Sequence, residues 1–410
     1  MDSDLSLIKY YRRRILTLKN KIDNIDPESS NLQPLLDFQL YLIKQITRDE
    51  ERLRRKKDEL VGLKRSLRDK ALGKRDSRKL KELIARRKET VAGNKYLLYL
   101  WRCFGDGLVF KFISKWNLKR FLYEADSAEI KQKSGYIHGK DGIEQELALL
   151  RHAFKSNVPA LLCDLTNVIR HGDICLLGDS DPVVIEVKSS KNINKRVERQ
   201  LASINKLQKY LEEDVGDVGG VEGMRRIEIH GEERHHGEAF NKALDLSKDR
   251  PYAKLNPEKG LFYIALNTEF EKDFNEVFQG IENSIVYMLN KAKTEQRWDN
   301  YYPFVLSIKD PVNLYRFIAG KVYVLILIGC NTLKEMASDI GYNLEFSNFE
   351  NEAFIFSKSL AGCDEPFRAI VSEHFSRRLG FELMTLEWFF ENEKILLLQM
   401  EKSIDAMKTP

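Results

Sequence analysis

The sequence predicts a chain of mixed α and β class (α/β, with α+β segregation). A helical coiled-coil hairpin is expected first, then a mixed-sheet core and a C-terminal α/β extension. Three observations predict this order. Apolar residues recur every three or four positions near the N-terminus, two short β-branched runs flank a turn near residue 180, and strand and helix signals alternate after residue 250. The predicted segments are therefore 1–92, 93–139, 140–250 and 251–410.

Segment 1–92 is predicted to form paired helices. Its first apolar stripe ends at Pro27 and the serines that follow, and consists of Ile8, Tyr11, Ile15, Leu18, Ile22 and Ile25. The second stripe precedes Gly73 and consists of Leu42, Ile46, Leu53, Leu60, Leu63 and Leu67. A short third helix is expected over 77–90. Two antiparallel helices joined by the Pro/Ser loop make a coiled-coil hairpin, through which we expect the chain to form a homo-oligomer.

Positive charge is concentrated in this helical segment, 1–92, which we call the arm. Residues 41–100 hold 20 Lys and Arg against 9 Asp and Glu, a balance of +11, whereas the whole chain carries +5. Exposed cations can bind the phosphate backbone of DNA. The candidates are Arg52, Arg54, Arg55, Lys56 and Lys57. The alternative is a solvated helix face that binds nothing.

Segment 93–139 is dense in aromatic residues between positions 94 and 123. It is predicted to form a buried helical connector, with a bend where Gly105 and Gly107 flank Asp106. Base stacking is the alternative role of these rings, because lysine and arginine lie between them.

A predicted β-hairpin in segment 140–250 carries the candidate chemistry. Ile174–Leu177 form one apolar run, Val183, Val184, Ile185 and Val187 form another, and Asp179–Pro182 supplies a turn between them. Asp173 begins the first strand, and Glu186 and Lys188 share one face of the second because they are two residues apart. Such charges are costly to bury unless they pair or bind an ion.

The hairpin charges suit a divalent cation. Asp173 and Glu186 would supply carboxylate oxygens, with the carbonyl of Val187 as a third ligand. This hard donor set favours Mg²⁺, with Mn²⁺ as a substitute. Lys188 would orient the attacking water and stabilise the charge that develops on the phosphate.

Two helices flank the hairpin, and together they carry a family resemblance. Helix 142–154 contains Glu144 and Glu146, and the basic helix 194–211 contains Gln200. With these helices, residues 140–212 resemble the PD-(D/E)XK nuclease superfamily, which has the restriction-endonuclease-like fold.

The resemblance implies a Mg²⁺-dependent deoxyribonuclease that leaves 5′-phosphate and 3′-hydroxyl ends. It gives Glu144 the role of accessory metal ligand, with Glu146 as its rival, and it adds Gln200 to the site. It matches Asp173 to the family aspartate, and Glu186 and Lys188 to the (D/E)-x-K pair. Gly172 departs from the family pattern, which has proline before the aspartate.

The remaining sequence excludes several classes of protein. Five cysteines without CxxC spacing argue against a disulfide framework or structural zinc. No Walker motif, GxGxxG or nucleophile elbow is present. The chain shows no signal-peptide pattern, and its longest apolar run, 322–328, is too short for a bilayer. We therefore expect a cytoplasmic protein without a membrane partner, and by analogy an anti-phage or restriction-type effector.

The segments after the motif contain fewer candidate functional residues. A Gly/Asp/Glu-rich loop is expected over 214–223, and the histidines at 230, 235 and 236 are expected at a strand end in preference to an HNH site. Segment 251–410 would extend the sheet or form a recognition or assembly domain. Its predicted strands are 261–266, 303–308, 322–329, 342–346 and 353–357, and its predicted helices are 269–290, 332–340, 365–378 and 383–407.

A second class of function fits the same sequence. The chain could be a non-catalytic nucleic-acid-binding or coiled-coil assembly protein whose nuclease motif is degenerate. The basic hairpin would then carry the function.

Overall fold

The mixed α and β class is confirmed by a computed structural model of the chain. The structure describes residues 8–68, 73–122, 135–178, 181–187, 195–226, 232–281, 283–298, 301–349, 351–360 and 365–408. The chain folds as two compact units, unit 1 (Met1–Arg226) and unit 2 (Ile227–Pro410).

Unit 1 begins with four helices: α1 (Arg12–Asp23), α2 (Gln33–Ser66), α3 (Lys74–Phe112) and α4 (Lys115–Leu122). The long hairpin is formed by α2 and α3, which run antiparallel, since Asp49 contacts Trp101 and Glu59 contacts Arg87. The Pro/Ser loop joins α1 to α2, the two helices that were predicted to pair, whereas the longer hairpin of α2 and α3 was not predicted.

Helix α3 differs most from its prediction. It is one continuous helix of 39 residues, whereas a short helix over 77–90 and a bend at Gly105 and Gly107 were expected. Both glycines lie in the helix interior and are buried. A β-carbon at Gly105 would lie 1.9 Å from the carbonyl oxygen of Leu165, so this glycine allows a close approach of backbones and makes no bend.

Helix α2 is tied to the rest of unit 1 by three buried polar side chains. The Gln39 amide donates to the carbonyl of Ala160 (2.8 Å) and accepts from the amide of Leu162 (3.1 Å). Asp49 accepts from the Trp101 indole at 2.9 Å, and Glu50 accepts from two backbone amides at residues 137 and 138. The inner half of the predicted arm is therefore part of the core.

The predicted nuclease segment follows, in the order helix, three strands, helix. Its elements are α5 (Ile143–Lys155), β1 (Ala160–Leu162), β2 (Ile174–Leu176), β3 (Val183–Ile185) and α6 (Lys195–Glu213). The strands form one antiparallel sheet in the order β1-β2-β3. A mixed sheet was expected, but every strand pair in the described residues is antiparallel.

The predicted loop over 214–223 is wrong. Residues there form a two-stranded hairpin of β4 (Val215–Val218) and β5 (Val221–Arg225), and Gly219 and Gly220 have positive φ at its turn. Glycine adopts this backbone conformation without the steric penalty of a β-carbon.

Unit 2 contains two antiparallel sheets. The first has the order β6-β7-β9-β8 and consists of β6 (Tyr252–Glu258), β7 (Leu261–Asn267), β8 (Ser284–Met288) and β9 (Val322–Gly329). The second consists of β10 (Asn343–Phe346), β11 (Glu352–Lys358) and β12 (Phe367–Ser372). Neither sheet shares a strand with β1–β3 in the part of the chain that is described, so a sheet extension is not seen there.

Nine helices are described around these sheets. They are α7 (Gly237–Leu246), α8 (Phe274–Phe278), α9 (Leu289–Thr294), α10 (Phe304–Ser307), α11 (Pro311–Ile318), α12 (Cys330–Asp339), α13 (Glu373–Ser376), α14 (Arg378–Phe381) and α15 (Leu386–Lys408).

Three predictions in unit 2 are wrong. The expected helix 269–290 is only α8 followed by strand β8, the expected strand 303–308 is helix α10, and the expected helix 365–378 begins as strand β12. Short apolar runs fit both helix and strand, and tertiary pairing decides between them. The other predicted strands and helices of this unit are confirmed to within a few residues.

Substitution of Gly105 by alanine is expected to destabilise unit 1 by about 3 kcal/mol, because the added methyl group would overlap the Leu165 carbonyl. The matched control is Gly62→Ala on α2, where no atom lies within 4 Å of the added carbon. That variant should be more stable by about 0.5–1 kcal/mol, since alanine favours a helix. Urea denaturation of both variants measures the difference, and an equally stable Gly105→Ala protein would contradict the close approach.

Burial raises the pKa of Glu393 on α15 to about 7. The folded chain therefore binds a proton that the unfolded chain has lost between about pH 4.5 and 7, so the stability falls as the pH rises through this window. The loss is about 3 kcal/mol. Glu393→Gln should show a flatter profile of unfolding free energy against pH, and Glu345→Gln, at an exposed position, should follow the wild-type profile. Parallel profiles for wild type and Glu393→Gln would refute the assignment.

Candidate functional site

The predicted hairpin that carries Asp173 and Glu186 is confirmed. Ile174 pairs with Ile185 and Leu176 with Val183, and Asp173 and Glu186 adjoin the first of these pairs at the same end of the hairpin. The amide of Asp173 donates to the Ile185 carbonyl at 2.9 Å, which holds this end of the ladder closed.

Gly172 positions Asp173 at the start of β2. Its φ of +71° lies in the left-handed region, and an added β-carbon would approach the Ile185 carbonyl to 3.2 Å. Proline cannot adopt this conformation because its ring fixes φ near −65°. The local backbone therefore cannot accept proline at position 172.

Three carboxylates meet at one ammonium group beside the hairpin. Lys140 Nζ lies 2.8 Å from Asp164 Oδ2, 2.9 Å from Asp173 Oδ1 and 2.9 Å from Glu146 Oε1. The Lys140 side chain is 28% exposed, whereas that of Glu146 is 3% exposed. We call Lys140, Glu146, Asp164 and Asp173 the carboxylate cluster.

The electrostatics of the cluster are dominated by burial and excess negative charge. Burial raises the pKa of Glu146 to about 7 against the opposing hydrogen bond from Lys140, and the charges of Asp173 and Asp164 add to the increase. Burial acts to lower the pKa of Lys140, but Asp164 and the other carboxylates outweigh it and raise that pKa. The ammonium therefore stays charged at neutral pH.

The helical phase of α5 decides between the two predicted glutamates. Glu144 is exposed on the first turn, whereas Glu146 is buried and points into the cluster. Residues two apart on a helix do not share a face. The structure therefore places Glu146, the predicted rival, beside Asp173, and it places Glu144 away from it.

Lys140 and Asp164 were missed in the sequence. Asp164 lies in a 3-10 turn (Cys163–Leu165) at the end of β1, and the amide of Cys163 donates to the Asp173 carbonyl at 2.8 Å. Asp164 could have been predicted, because it directly follows the apolar run 160–163. The neighbouring end of β2 also carries an acid, Asp173. Lys140 lies in a loop and has no such signal.

The structure describes the other predicted site residues only in part. Glu186 is half-buried after β3, and the amide of Val187 donates to Asp173 Oδ2 at 2.9 Å. Gln200 belongs to helix α6, which confirms the predicted helix, while its side chain lies outside the described residues. Lys188 also lies outside them.

The donor set of the cluster suits a hard divalent cation, because all its anionic groups are carboxylates. The point where they meet is taken by the Lys140 ammonium. Among the residues that the structure describes, no three His, Cys, Asp or Glu side chains form a ready metal-binding group. These carboxylates therefore fit a metal ion only with the ammonium moved aside.

Four of the five predicted cations of the arm fall into two groups, and the fifth, Lys56, pairs with Glu59 at 3.3 Å. Arg52 contacts Asp49 and Tyr11, and Lys57 Nζ lies 2.9 Å from the hydroxyl of Tyr136, so both help to join α2 to its neighbours. Arg54 and Arg55 are exposed. Exposed cations of this kind are available for phosphate groups.

The histidines near residue 236 show no nuclease arrangement. His236 Nε2 lies 2.5 Å from Glu258 Oε1, and His235 forms a backbone bridge with Met384. His230 lies outside the described residues.

Comparison with known proteins gives no relative. No family model matches the chain, and neither a curated protein nor a solved structure matches it. In the described part of the chain, no helix has the length and apolar character needed to cross a membrane.

Proposed function

We propose that this chain is a Mg²⁺-dependent nuclease that hydrolyses phosphodiester bonds of DNA. The observation that carries the proposal is the meeting of Asp173, Asp164 and Glu146 at one point, beside the strand end that carries Glu186. Carboxylates gathered in this way hold a divalent cation in phosphodiester hydrolysis.

The residues have separate roles in this proposal. Asp173 and Glu186 would hold Mg²⁺ (or Mn²⁺), with the Val187 carbonyl and Glu146 as further oxygen donors. The ion would supply positive charge against the negative charge that develops on the phosphate. Lys188 would orient the attacking water, and Gln200 would complete the site.

The basic arm supports nucleic acid as the substrate. Residues 54–90 carry 16 Lys and Arg against 6 Asp and Glu, and most of the described side chains there are exposed. Exposed positive charge attracts any phosphate backbone without sequence preference. The arm would thus bring DNA to unit 1, whose carboxylates alone would repel it.

The proposal also covers the oligomeric state of the chain and its biological setting. Val61 and Leu83 are about half exposed on the outer part of the arm, which suits pairing with a second copy of the chain. A cytoplasmic anti-phage or restriction-type effector is the setting we propose, by analogy with nucleases that carry no motor domain.

A second candidate is a non-catalytic nucleic-acid-binding or coiled-coil assembly protein with a degenerate motif. The observation that favours it is Lys140, which already neutralises part of the charge that a metal ion would neutralise. Binding of DNA without Mg²⁺-dependent cleavage would decide for this candidate.

Cleavage assays test the nuclease directly, with supercoiled, linear and single-stranded DNA and with RNA in the presence of Mg²⁺. We expect Asp173→Asn and Lys188→Ala to lower the rate by roughly 100-fold or more, the scale of losing one charge-stabilising group. Glu146→Gln should also be slow. Glu144→Gln, at an exposed position on the same helix, should cut at the wild-type rate. Equal rates for wild type and Asp173→Asn would sink the proposal.

Binding of DNA to the arm is tested by fluorescence anisotropy in EDTA at several salt concentrations. The Arg54→Gln, Arg55→Gln double variant should bind a labelled duplex more weakly. The slope of log affinity against log salt should become shallower by about one to two units, because up to two phosphate contacts are lost. Lys242→Gln, at an exposed position on α7, is the control and should bind as wild type does. An unchanged slope in the double variant would contradict a contact between the arm and DNA.

A further inference from the structure

The carboxylate cluster holds more negative charge than Lys140 can neutralise. The ammonium has three N–H donors, and one oxygen of each of the three carboxylates lies within 2.9 Å of it. Even with Glu146 protonated, two carboxylates face one ammonium. Glu146 Oε2 is also buried and has no hydrogen-bond partner. The cluster therefore offers a cation more ligands than Lys140 uses.

The backbone that carries Lys140 is fixed by the base of the arm. Glu50 Oε2 accepts from the amides of Ile137 (2.9 Å) and His138 (2.8 Å), and Glu50 is only 1% exposed. Arg102 binds Glu50 and the Gly135 carbonyl, both at 2.9 Å. The loop over 135–140 is thus anchored to α2 and α3, while the partly exposed Lys140 side chain has a flexible four-carbon stem.

We propose that Lys140 is a built-in counterion of this cluster, which a divalent metal ion displaces on binding. The inference rests on the proposed function and adds its regulation. Two cations cannot share a point where carboxylate oxygens lie 2.8–2.9 Å from the ammonium, since a bound Mg²⁺ needs the same oxygens at about 2.1 Å. The metal-free site is therefore closed by the lysine, and the ammonium turns outward when the metal enters.

The direct test is chemical labelling of wild-type protein with an amine-acylating reagent, followed by mass spectrometry, with and without Mn²⁺. A paired ammonium reacts slowly, so Mn²⁺ should increase the acylation of Lys140 several-fold. Lys155, exposed near the end of α5, is the internal control and should not change. Mn²⁺ that fails to bind, or that binds and leaves Lys140 unreactive, overturns the inference.

A second test measures Mn²⁺ affinity by calorimetry. Lys140→Met keeps a chain of similar length and removes the competing charge, so its affinity should rise by roughly tenfold or more. Lys155→Met should bind as wild type does. An equal or lower affinity for Lys140→Met overturns the inference, and wild-type labelling decides the matter if that variant does not fold.

The outcomes separate this inference from the nuclease proposal. If the protein cleaves DNA but Mn²⁺ does not change the labelling of Lys140, the nuclease proposal stands and the counterion role is contradicted. If Mn²⁺ increases the labelling of Lys140 but the protein cleaves no substrate, the counterion role is supported and the nuclease proposal is contradicted.

Discussion

Unit 1 depends on one helix, α2, whose buried face is polar at three points. Gln39, Asp49 and Glu50 each satisfy groups on other elements: the edge of β1, the Trp101 indole on α3, and the amides of residues 137 and 138. Loss of any one would leave buried donors unsatisfied, at a cost of about 1–3 kcal/mol each. An apolar coiled-coil face could tolerate sliding along its partner, whereas these bonds fix one position of α2.

Contacts with helix α2 also fix the geometry of the candidate site. Gln39 occupies the free edge of β1, the strand that precedes the turn with Asp164, and Glu50 holds the loop that presents Lys140. Asp173 joins the same group through the β1–β2 pairing. Three of the four cluster residues therefore depend on contacts that lie up to about 120 positions away in sequence, as the separation of 121 between Gln39 and Ala160 illustrates.

That dependence explains which parts were predictable. The β2–β3 hairpin follows from two apolar runs and the turn residues between them, so the presence of Asp173 and Glu186 at one end of it could be derived from the sequence. The phase of α5 was ambiguous, because the choice between Glu144 and Glu146 is set by what the helix packs against. Lys140 has no local pattern, and the continuity of α3 through Gly105 required knowledge of the Leu165 carbonyl beside it. In unit 2, β8 and β12 are strands because neighbouring strands pair with them.

The composition of the carboxylate cluster argues against a purely structural role. Replacement of a buried ion pair by apolar side chains is often neutral or stabilising, so stability alone gives little reason to keep one. This cluster is less favourable than a simple pair, since it gathers three acids around one ammonium, and burial raises the pKa of Glu146 to about 7. A fold that needed only a counterion for Lys140 would require one acid. The proposed binding of a cation with a higher charge than lysine would explain the surplus, because it would use Asp164 and Glu146 together.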